Sequence, residues 1–126
     1  MTFLDSNVFI YHVGGEHPLR AKAREFIADS LAQGIRLVSS AEVLQELLHV
    51  YIPPQRWTTL DAAFELADGC LDEVWPIEKG DVELARDLAR LHPGLSSRDL
   101  IHLACCRRRH VDDLMTFDRG LATAWR

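Results

Sequence analysis

The segment TFLDSNVFIYHV at residues 2–13 passes from an apolar run to an acid and then to a second apolar stretch. Thr2–Leu4 is short and apolar, which predicts a strand. The pair Ser6-Asn7 consists of residue types that cap helices, here a helix that begins near Val8. Asp5 therefore stands between a strand and a helix, and this order is the first unit of the fold that we expect.

The same alternation continues along the rest of the chain. Apolar spacing and capping signals predict helices over Leu19–Leu31, Ala41–Tyr51, Thr59–Leu71, Asp81–Leu91 and Ser96–Arg109, with a short helix at the end. Short β-rich runs predict strands at Ile35–Val38, Glu73–Ile77 and Leu114–Phe117. Strands that alternate with helices of about ten or more residues predict an α/β domain with a mainly parallel sheet and helices on both faces.

The bulk composition fits one ordinary globular domain. Of the 126 residues, 48% are hydrophobic and 26% are charged, which disfavours disordered, collagen-like and coiled-coil classes. The length predicts a single domain over residues 1–126. The start has no basic signal region, and no apolar run approaches the roughly 20 residues that cross a bilayer. We therefore expect a soluble cytoplasmic protein with no membrane contact.

The net charge of −5 bears on the class of partner. Proteins that bind nucleic acids usually carry a basic surface for phosphate, so an acidic chain argues against such a partner. The objection weakens if the acids are concentrated where they hold divalent cations, because a bound ion inverts the local field and can itself contact phosphate. Net charge therefore leaves the partner class open.

Three aspartates occupy positions that favour a shared site. Asp5 and Asp118 each directly follow a predicted strand, and ligands of parallel sheets bind beyond the carboxyl ends of the strands. Asp99 lies in the first turn of a predicted helix behind Ser96, where the helix dipole favours negative charge. A capping role alone would also explain Asp99.

A glutamate is harder to select from the residues alone. Glu42, Glu46 and His49 form one polar stripe along a predicted helix that is otherwise apolar. Such a stripe can simply face solvent. Nothing in its spacing separates Glu42 from Glu46.

Carboxylates that meet at one edge of a sheet need a cation. Two that approach within a few ångströms repel each other by about 4 kcal/mol at an effective dielectric of about 20. Mg²⁺ or Mn²⁺ offsets this repulsion, because these hard ions prefer oxygen ligands and retain waters that phosphate oxygens displace. Such an ion can orient a water, lower its pKa and stabilise charge on phosphorus.

Four blocks carry most of these features: FLDSNVFIY at residues 3–11, SSAEVLQELL at 39–48, SSRDLIHLA at 96–104 and LMTFDRGL at 114–121. Their order and spacing are more specific than any one of them. In this combination the chain resembles the PIN-domain ribonucleases, and within them the VapC toxins of toxin–antitoxin pairs. The resemblance implies a PIN-like three-layer α/β/α domain whose mainly parallel central sheet has four to five strands.

The resemblance also implies an activity and partners. The expected reaction is Mg²⁺- or Mn²⁺-dependent hydrolysis of RNA phosphodiester bonds by an endoribonuclease, which leaves a 5′-phosphate and a 3′-hydroxyl. The expected role is the toxic component of a pair, in which a VapB-like antitoxin protein occludes the site. The expected assembly is a homodimer.

Carried over position by position, the resemblance implies four catalytic, metal-binding acids: Asp5, Glu46 rather than Glu42, Asp99 and Asp118. We assign Asp5 and Asp99 as the direct ligands. Glu46 and Asp118 are expected to complete the site through waters or through a second ion.

Polar and basic residues are expected around these acids. Asn7 and Thr116 match small polar positions of the family near the first and last acids. Arg98 shares the rim of the proposed site and is the candidate contact for an RNA phosphate. The run Arg107–Arg109 is interpreted as a solvated segment that complements a helix dipole. His102 lies on the same helix face as the third acid, yet a packed or solvent-facing histidine is the expected role.

Other classes fit parts of this pattern. A signalling receiver domain has this size and uses acids with Mg²⁺, but it needs a lysine after a late strand, and Lys22 and Lys79 are the only lysines. A haloacid-dehalogenase-like phosphatase needs a second aspartate at the position of Asn7. A PIN-fold binding module without catalysis, and DNA as the substrate, stay open.

Overall fold

Four short strands and seven helices make up the chain, and the computed structural model describes residues 1–126. The strands are Thr2–Leu4 (β1), Leu37–Ser40 (β2), Glu73–Trp75 (β3) and Asp113–Met115 (β4). The helices are Ser6–Val13 (α1), Pro18–Ala32 (α2), Ala41–Tyr51 (α3), Trp57–Cys70 (α4), Lys79–Ala89 (α5), Ser97–Arg108 (α6) and Arg119–Trp125 (α7). Each predicted strand and helix is therefore present.

The strands form one parallel sheet in the order β3-β2-β1-β4. Thr2 of β1 pairs with Leu37 on one side and with Asp113 on the other, so the first strand of the chain lies inside the sheet. Because all four strands run in the same direction, their carboxyl ends share one edge, where ligands of such sheets bind. The predicted α/β class is confirmed, with four parallel strands.

The helices pack in two groups around this sheet. Helix α1 packs against α2, α3 and α4, and α6 packs against α5 and α7, with a further contact between α3 and α6. The main core lies around β1, where Phe3, Leu4, Val38 and Leu103 are fully buried. None of the helices has both the length and the apolar composition of a membrane span. Because β1 is buried over its whole length, the residue that follows it is held in a fixed position.

One helix begins earlier and one strand ends later than the sequence suggests, whereas α3 has the predicted bounds. Helix α1 begins at Ser6, because Asp5 is itself the cap and accepts the Ser6 N–H at 2.7 Å. Strand β2 extends to Ser40, whose side chain also accepts the N–H of Val43 and so begins α3. In both cases a polar residue at the strand end starts the next helix without a loop.

The end of β4 also differs from the prediction. The strand ends at Met115 rather than at Phe117. Asp118 caps α7, because its Oδ1 accepts the N–H of Leu121 at 2.9 Å. The fourth acid is therefore held by a helix cap a short distance beyond the strand, not by the strand itself.

The arginine run at the end of α6 contacts a buried acid. Asp81 of α5 is fully buried, and its Oδ1 accepts hydrogen bonds at 2.8 Å from both Arg108 and Arg109. Arg107 lies over the ring of Trp125. The predicted solvated run is therefore wrong for Arg109, which is mostly buried, whereas Arg108 is shared between Asp81 and solvent.

Candidate metal centre

Asp5 is the most constrained acid of the sheet edge. It is buried at the end of β1, and its Oδ1 accepts the Ser6 N–H that begins α1. Its Oδ2 accepts hydrogen bonds from Oγ1 of Thr116 at 2.7 Å and from Nδ2 of Asn7 at 3.3 Å. Donors from two separate parts of the chain thus fix both carboxylate oxygens.

Asn7 and Thr116 also join α1 to the segment after β4. Nδ2 of Asn7 donates to Oγ1 of Thr116 at 3.1 Å, and Oδ1 of Asn7 accepts the Phe117 N–H at 3.1 Å. The N–H of Asp118 donates to Oγ1 of Thr116 at 3.0 Å. The two residues expected to support the site therefore connect the first acid to the last one.

Glu46 reaches the same centre from α3. Its Oε2 accepts a hydrogen bond from Oγ of Ser6 at 3.1 Å, and its Oε1 is hydrogen-bonded to Nε2 of His102. Glu42, one turn earlier, faces Arg98 instead, with 3.9 Å between Oε1 and Nε. The solvent-facing stripe considered from the sequence is therefore wrong for Glu46, because contacts from α1 and α6 draw this side chain inward.

His102 is a member of the centre that sequence reasoning missed. The side chain is fully buried, and its Nε2 lies 3.5 Å from Oδ1 of Asp5 in addition to its contact with Glu46. The expected packed histidine is thus correct as to burial but incomplete as to contacts. The one signal in the sequence was its position three residues after Asp99, which places both on one face of α6.

Burial changes the proton affinities of the two most buried groups. It raises the pKa of Asp5, although the charge of His102 and the hydroxyl of Thr116 act in the opposite direction. Burial alone would lower the pKa of His102, but the hydrogen bond to Glu46 and the charge of Asp5 raise it above its usual value. Each group thus depends on the other to remain charged in a buried place.

Asp99 and Asp118 lie at the more open side of the centre. Asp99 is half-buried in the first turn of α6, whose cap is Ser96, and Asp118 is exposed. Burial, together with the charges of Asp5 and Asp118, raises the pKa of Asp99 to about 6. The four predicted acids therefore share one electrostatic environment, with an excess of negative charge that a cation would relieve.

The clustered side-chain atoms are of types that can bind a divalent cation. Asp5, Glu46 and His102 each offer one atom, and these three atoms lie within 4.8 Å of one another. Carboxylate oxygens suit Mg²⁺ and Mn²⁺, and imidazole nitrogen is a further ligand type for transition metals. Asp99 and Asp118 lie outside this compact group, so the assignment of Asp99 as a direct ligand stays a prediction. The contact of Arg98 with an RNA phosphate stays a prediction as well.

Comparison with known proteins adds a family to this geometry. The family model described as PIN domain matches residues 2–124. The chain is 55% identical over 126 residues to Ribonuclease VapC23 of Mycobacterium tuberculosis, which covers 100% of this chain and 99% of the relative. The chain belongs to the VapC ribonucleases of the PIN-domain family. Nucleases of this family are metal-dependent, in agreement with the acid cluster.

Further relatives of this VapC chain agree. Ribonuclease VapC13 of M. tuberculosis is 42% identical over 120 residues, which is 95% of this chain and 92% of that protein. The crystal structure of M. tuberculosis VapC20, described as a sarcin–ricin loop cleaving toxin, superposes with a TM-score of 0.83. The superposition covers 98% of this chain and 95% of VapC20 at 16% identity, so it establishes a shared PIN fold.

Proposed function

We propose that this chain is a Mg²⁺- or Mn²⁺-dependent endoribonuclease and the toxic component of a toxin–antitoxin pair, formed as a single PIN domain over residues 1–126. The observation that carries the proposal is the buried carboxylate of Asp5, which shares one environment with Glu46, Asp99 and Asp118. The full-length similarity to named VapC ribonucleases supports RNA as the substrate.

The four acids would hold the metal ion, with Asp5 and Asp99 as direct ligands and Glu46 and Asp118 completing the site. When bound, the ion supplies an activated water and neutralises charge on the phosphate, so that hydrolysis leaves a 5′-phosphate and a 3′-hydroxyl. The work of the remaining residues is to hold these acids. Ser6, Asn7 and Thr116 fix the two oxygens of Asp5, and no rearrangement of that carboxylate is then needed when the ion arrives.

Arg98 is proposed as the contact for an RNA phosphate. It lies in the first turn of α6 beside Asp99, and its guanidinium is only loosely paired, with 3.9 Å to Glu42. The positive charge of Arg98 at this rim would offset the negative charge that the acids present to an approaching phosphate. Its loose pairing leaves donors of the guanidinium available.

The protein partners and the cellular location of the chain are also proposed. The family resemblance supports a VapB-like antitoxin that covers the site, a homodimer and a cytoplasmic location. Co-purification of the chain with the product of a neighbouring reading frame would test the antitoxin. Light scattering of the purified chain would test the dimer, because a mass of one chain at all concentrations contradicts it.

An RNA cleavage assay tests the activity directly. We expect the purified wild type to cut RNA with Mg²⁺ or Mn²⁺ and to stop when EDTA is added. Asp5→Asn should lower the rate by about 100-fold or more, as removal of one charged group of an active site does. Asp61→Asn, an exposed acid of α4, is the matched control and should leave the rate unchanged.

Two outcomes of this assay contradict the proposal. Equal cleavage by wild type and Asp5→Asn would exclude the assigned site. Metal-dependent binding of RNA without cleavage would indicate the non-catalytic PIN module instead. Single-stranded DNA assayed in parallel decides whether the activity is confined to RNA, and sequencing of new RNA 5′ ends in expressing cells locates the cut.

A further inference from the structure

We propose that His102 is a positioning residue, which holds Glu46 beside Asp5 before a metal ion binds. The proposal rests on the metal site of the preceding section and adds a residue outside the four acids. In this role the imidazole acts on a neighbouring carboxylate and not on RNA.

The geometry places one imidazole nitrogen between two carboxylates. Nε2 of His102 is hydrogen-bonded to Oε1 of Glu46 and lies 3.5 Å from Oδ1 of Asp5. Because an ionised carboxylate can only accept hydrogen bonds, its partner Nε2 is assigned as a protonated nitrogen, whether the ring is neutral or charged. His102 is thus a donor shared by an acid of β1 and an acid of α3.

Glu46 needs such a donor more than Asp5 does. The carboxylate of Asp5 has the Ser6 N–H, Asn7 and Thr116 as donors. Apart from His102, the side chain of Glu46 has only the hydroxyl of Ser6 at 3.1 Å. Two like charges so close together repel each other, and a long glutamate with a single donor would turn away toward solvent.

The second ring nitrogen, Nδ1, shows that packing alone does not explain why a histidine occupies position 102. Nδ1 of His102 is the one buried side-chain polar atom of the chain without a hydrogen-bond partner. A buried polar atom without a partner costs free energy, and an apolar side chain beside Phe3 would fill the space without that cost. The benefit of a histidine at this position therefore lies in its Nε2 contacts.

The same contacts favour His102 as a hydrogen-bond donor to Glu46 rather than as a direct metal ligand. A metal would have to bind the lone pair of a ring nitrogen, whereas Nε2 directs its proton toward Glu46. Nδ1 has no acid within hydrogen-bond distance with which it could share an ion. His102 therefore acts through Glu46 rather than on the ion.

Three variants separate these roles. His102→Gln places an amide nitrogen at about the reach of Nε2, whereas His102→Asn places the same group only at the reach of Nδ1, and His102→Leu offers no donor. His49→Leu, an exposed histidine of α3, is the control. The readouts are Mn²⁺ affinity from electron paramagnetic resonance and the rise in Tm on addition of Mn²⁺, with circular dichroism to verify folding.

We expect His102→Leu and His102→Asn to bind Mn²⁺ about 10- to 100-fold more weakly than the wild type, the range found for residues that orient metal ligands. His102→Gln should recover most of this loss, and His49→Leu should match the wild type. Equal affinity in the wild type and in a folded Asn or Leu variant would overturn the proposal.

A measurement on the wild type alone guards against variants that fail to fold. Electron spin-echo modulation of bound Mn²⁺ should show no ¹⁴N coupling of the strength given by a directly bound imidazole. Such a coupling would make His102 a ligand and overturn the positioning role. A wild type that binds no Mn²⁺ would instead overturn the metal site itself, so the two failures are distinguishable.

Discussion

Thr116 donates a 2.7 Å hydrogen bond from Oγ1 to Oδ2 of Asp5, across 111 residues of sequence. The bond joins the segment after β4 to the end of β1. It lowers the pKa of Asp5, whereas burial raises that pKa. It can therefore be tested by its effect on ion binding as well as by its effect on stability.

We expect Thr116→Val to weaken Mg²⁺ or Mn²⁺ binding and cleavage by about tenfold, because an outer hydrogen bond that orients a ligand is lost. The free energy of unfolding should fall by about 1 kcal/mol. Isothermal titration and urea unfolding measure the two effects. Thr116→Ser keeps the hydroxyl and is the control; a serine variant as impaired as the valine variant would contradict the role of the hydroxyl.

Asp118 allows charge and capping to be separated. Its Oδ1 caps α7 through the N–H of Leu121. Asp118→Asn keeps a good capping residue, so stability should remain within about 0.5 kcal/mol, whereas Asp118→Ala should cost about 1 kcal/mol. Both variants should lose cleavage by about 100-fold, because both remove the charge. Wild-type cleavage by the asparagine variant would exclude Asp118 from the acid cluster.

Arg98 should affect the salt dependence of RNA binding. In an Asp5→Asn background that prevents cleavage, Arg98→Ala should reduce the slope of log affinity against log salt by about one unit, because one phosphate contact is removed. Fluorescence anisotropy over a salt series measures it. Arg86→Ala removes an exposed arginine that faces Asp87 in α5 and should leave the slope unchanged. Identical slopes for the two variants would mean that Arg98 contacts no phosphate.

Asp81 should make the fold sensitive to acid. Burial by itself would raise the pKa of this carboxyl, but hydrogen bonds from Arg109, the Glu78 N–H and Arg108 lower it from 3.8 to about 2. Since the folded pKa lies below the unfolded one, the stabilisation is complete above the unfolded value of 3.8 and is lost as pH falls through about 2.

The magnitude follows from the same shift. Because solvent screens the half-exposed Arg108, we expect ionised Asp81 to contribute about 1–2 kcal/mol to the free energy of unfolding. Urea unfolding of wild type and Asp81→Asn between about pH 5 and about pH 2 measures it, and the difference between them should shrink as pH falls. Asp87→Asn, on an exposed position of α5, should show no such trend. A difference independent of pH would contradict the ion-pair origin.

The sequence was sufficient where one segment determined the outcome. The strand and cap around Asp5 are local, so its place at the sheet edge followed from TFLDSN. The choice between Glu42 and Glu46 was different. They are one turn apart on α3, and the atoms that distinguish them, Oγ of Ser6 and Nε2 of His102, come from other helices. Family resemblance supplied that choice.

The missed contacts share this cause. Periodicity predicted the face of α6 that carries His102, but it did not predict which acids contact that face. Arg109 lies 28 residues from Asp81 in sequence. An arginine run by itself does not indicate that an acid on a neighbouring helix contacts it. Pairing between elements depends on how helices are placed against the sheet, which local patterns do not encode.

The position of β1 between β2 and β4 has a consequence for synthesis. Strand β1 is bordered by β4, which is made much later, and Asp5 acquires its Thr116 donor only after residue 116 has been synthesised. A nascent chain that has not reached residue 113 lacks both the bordering strand and the fourth acid. The four acids of the candidate metal centre can therefore meet only after residue 118 has been synthesised.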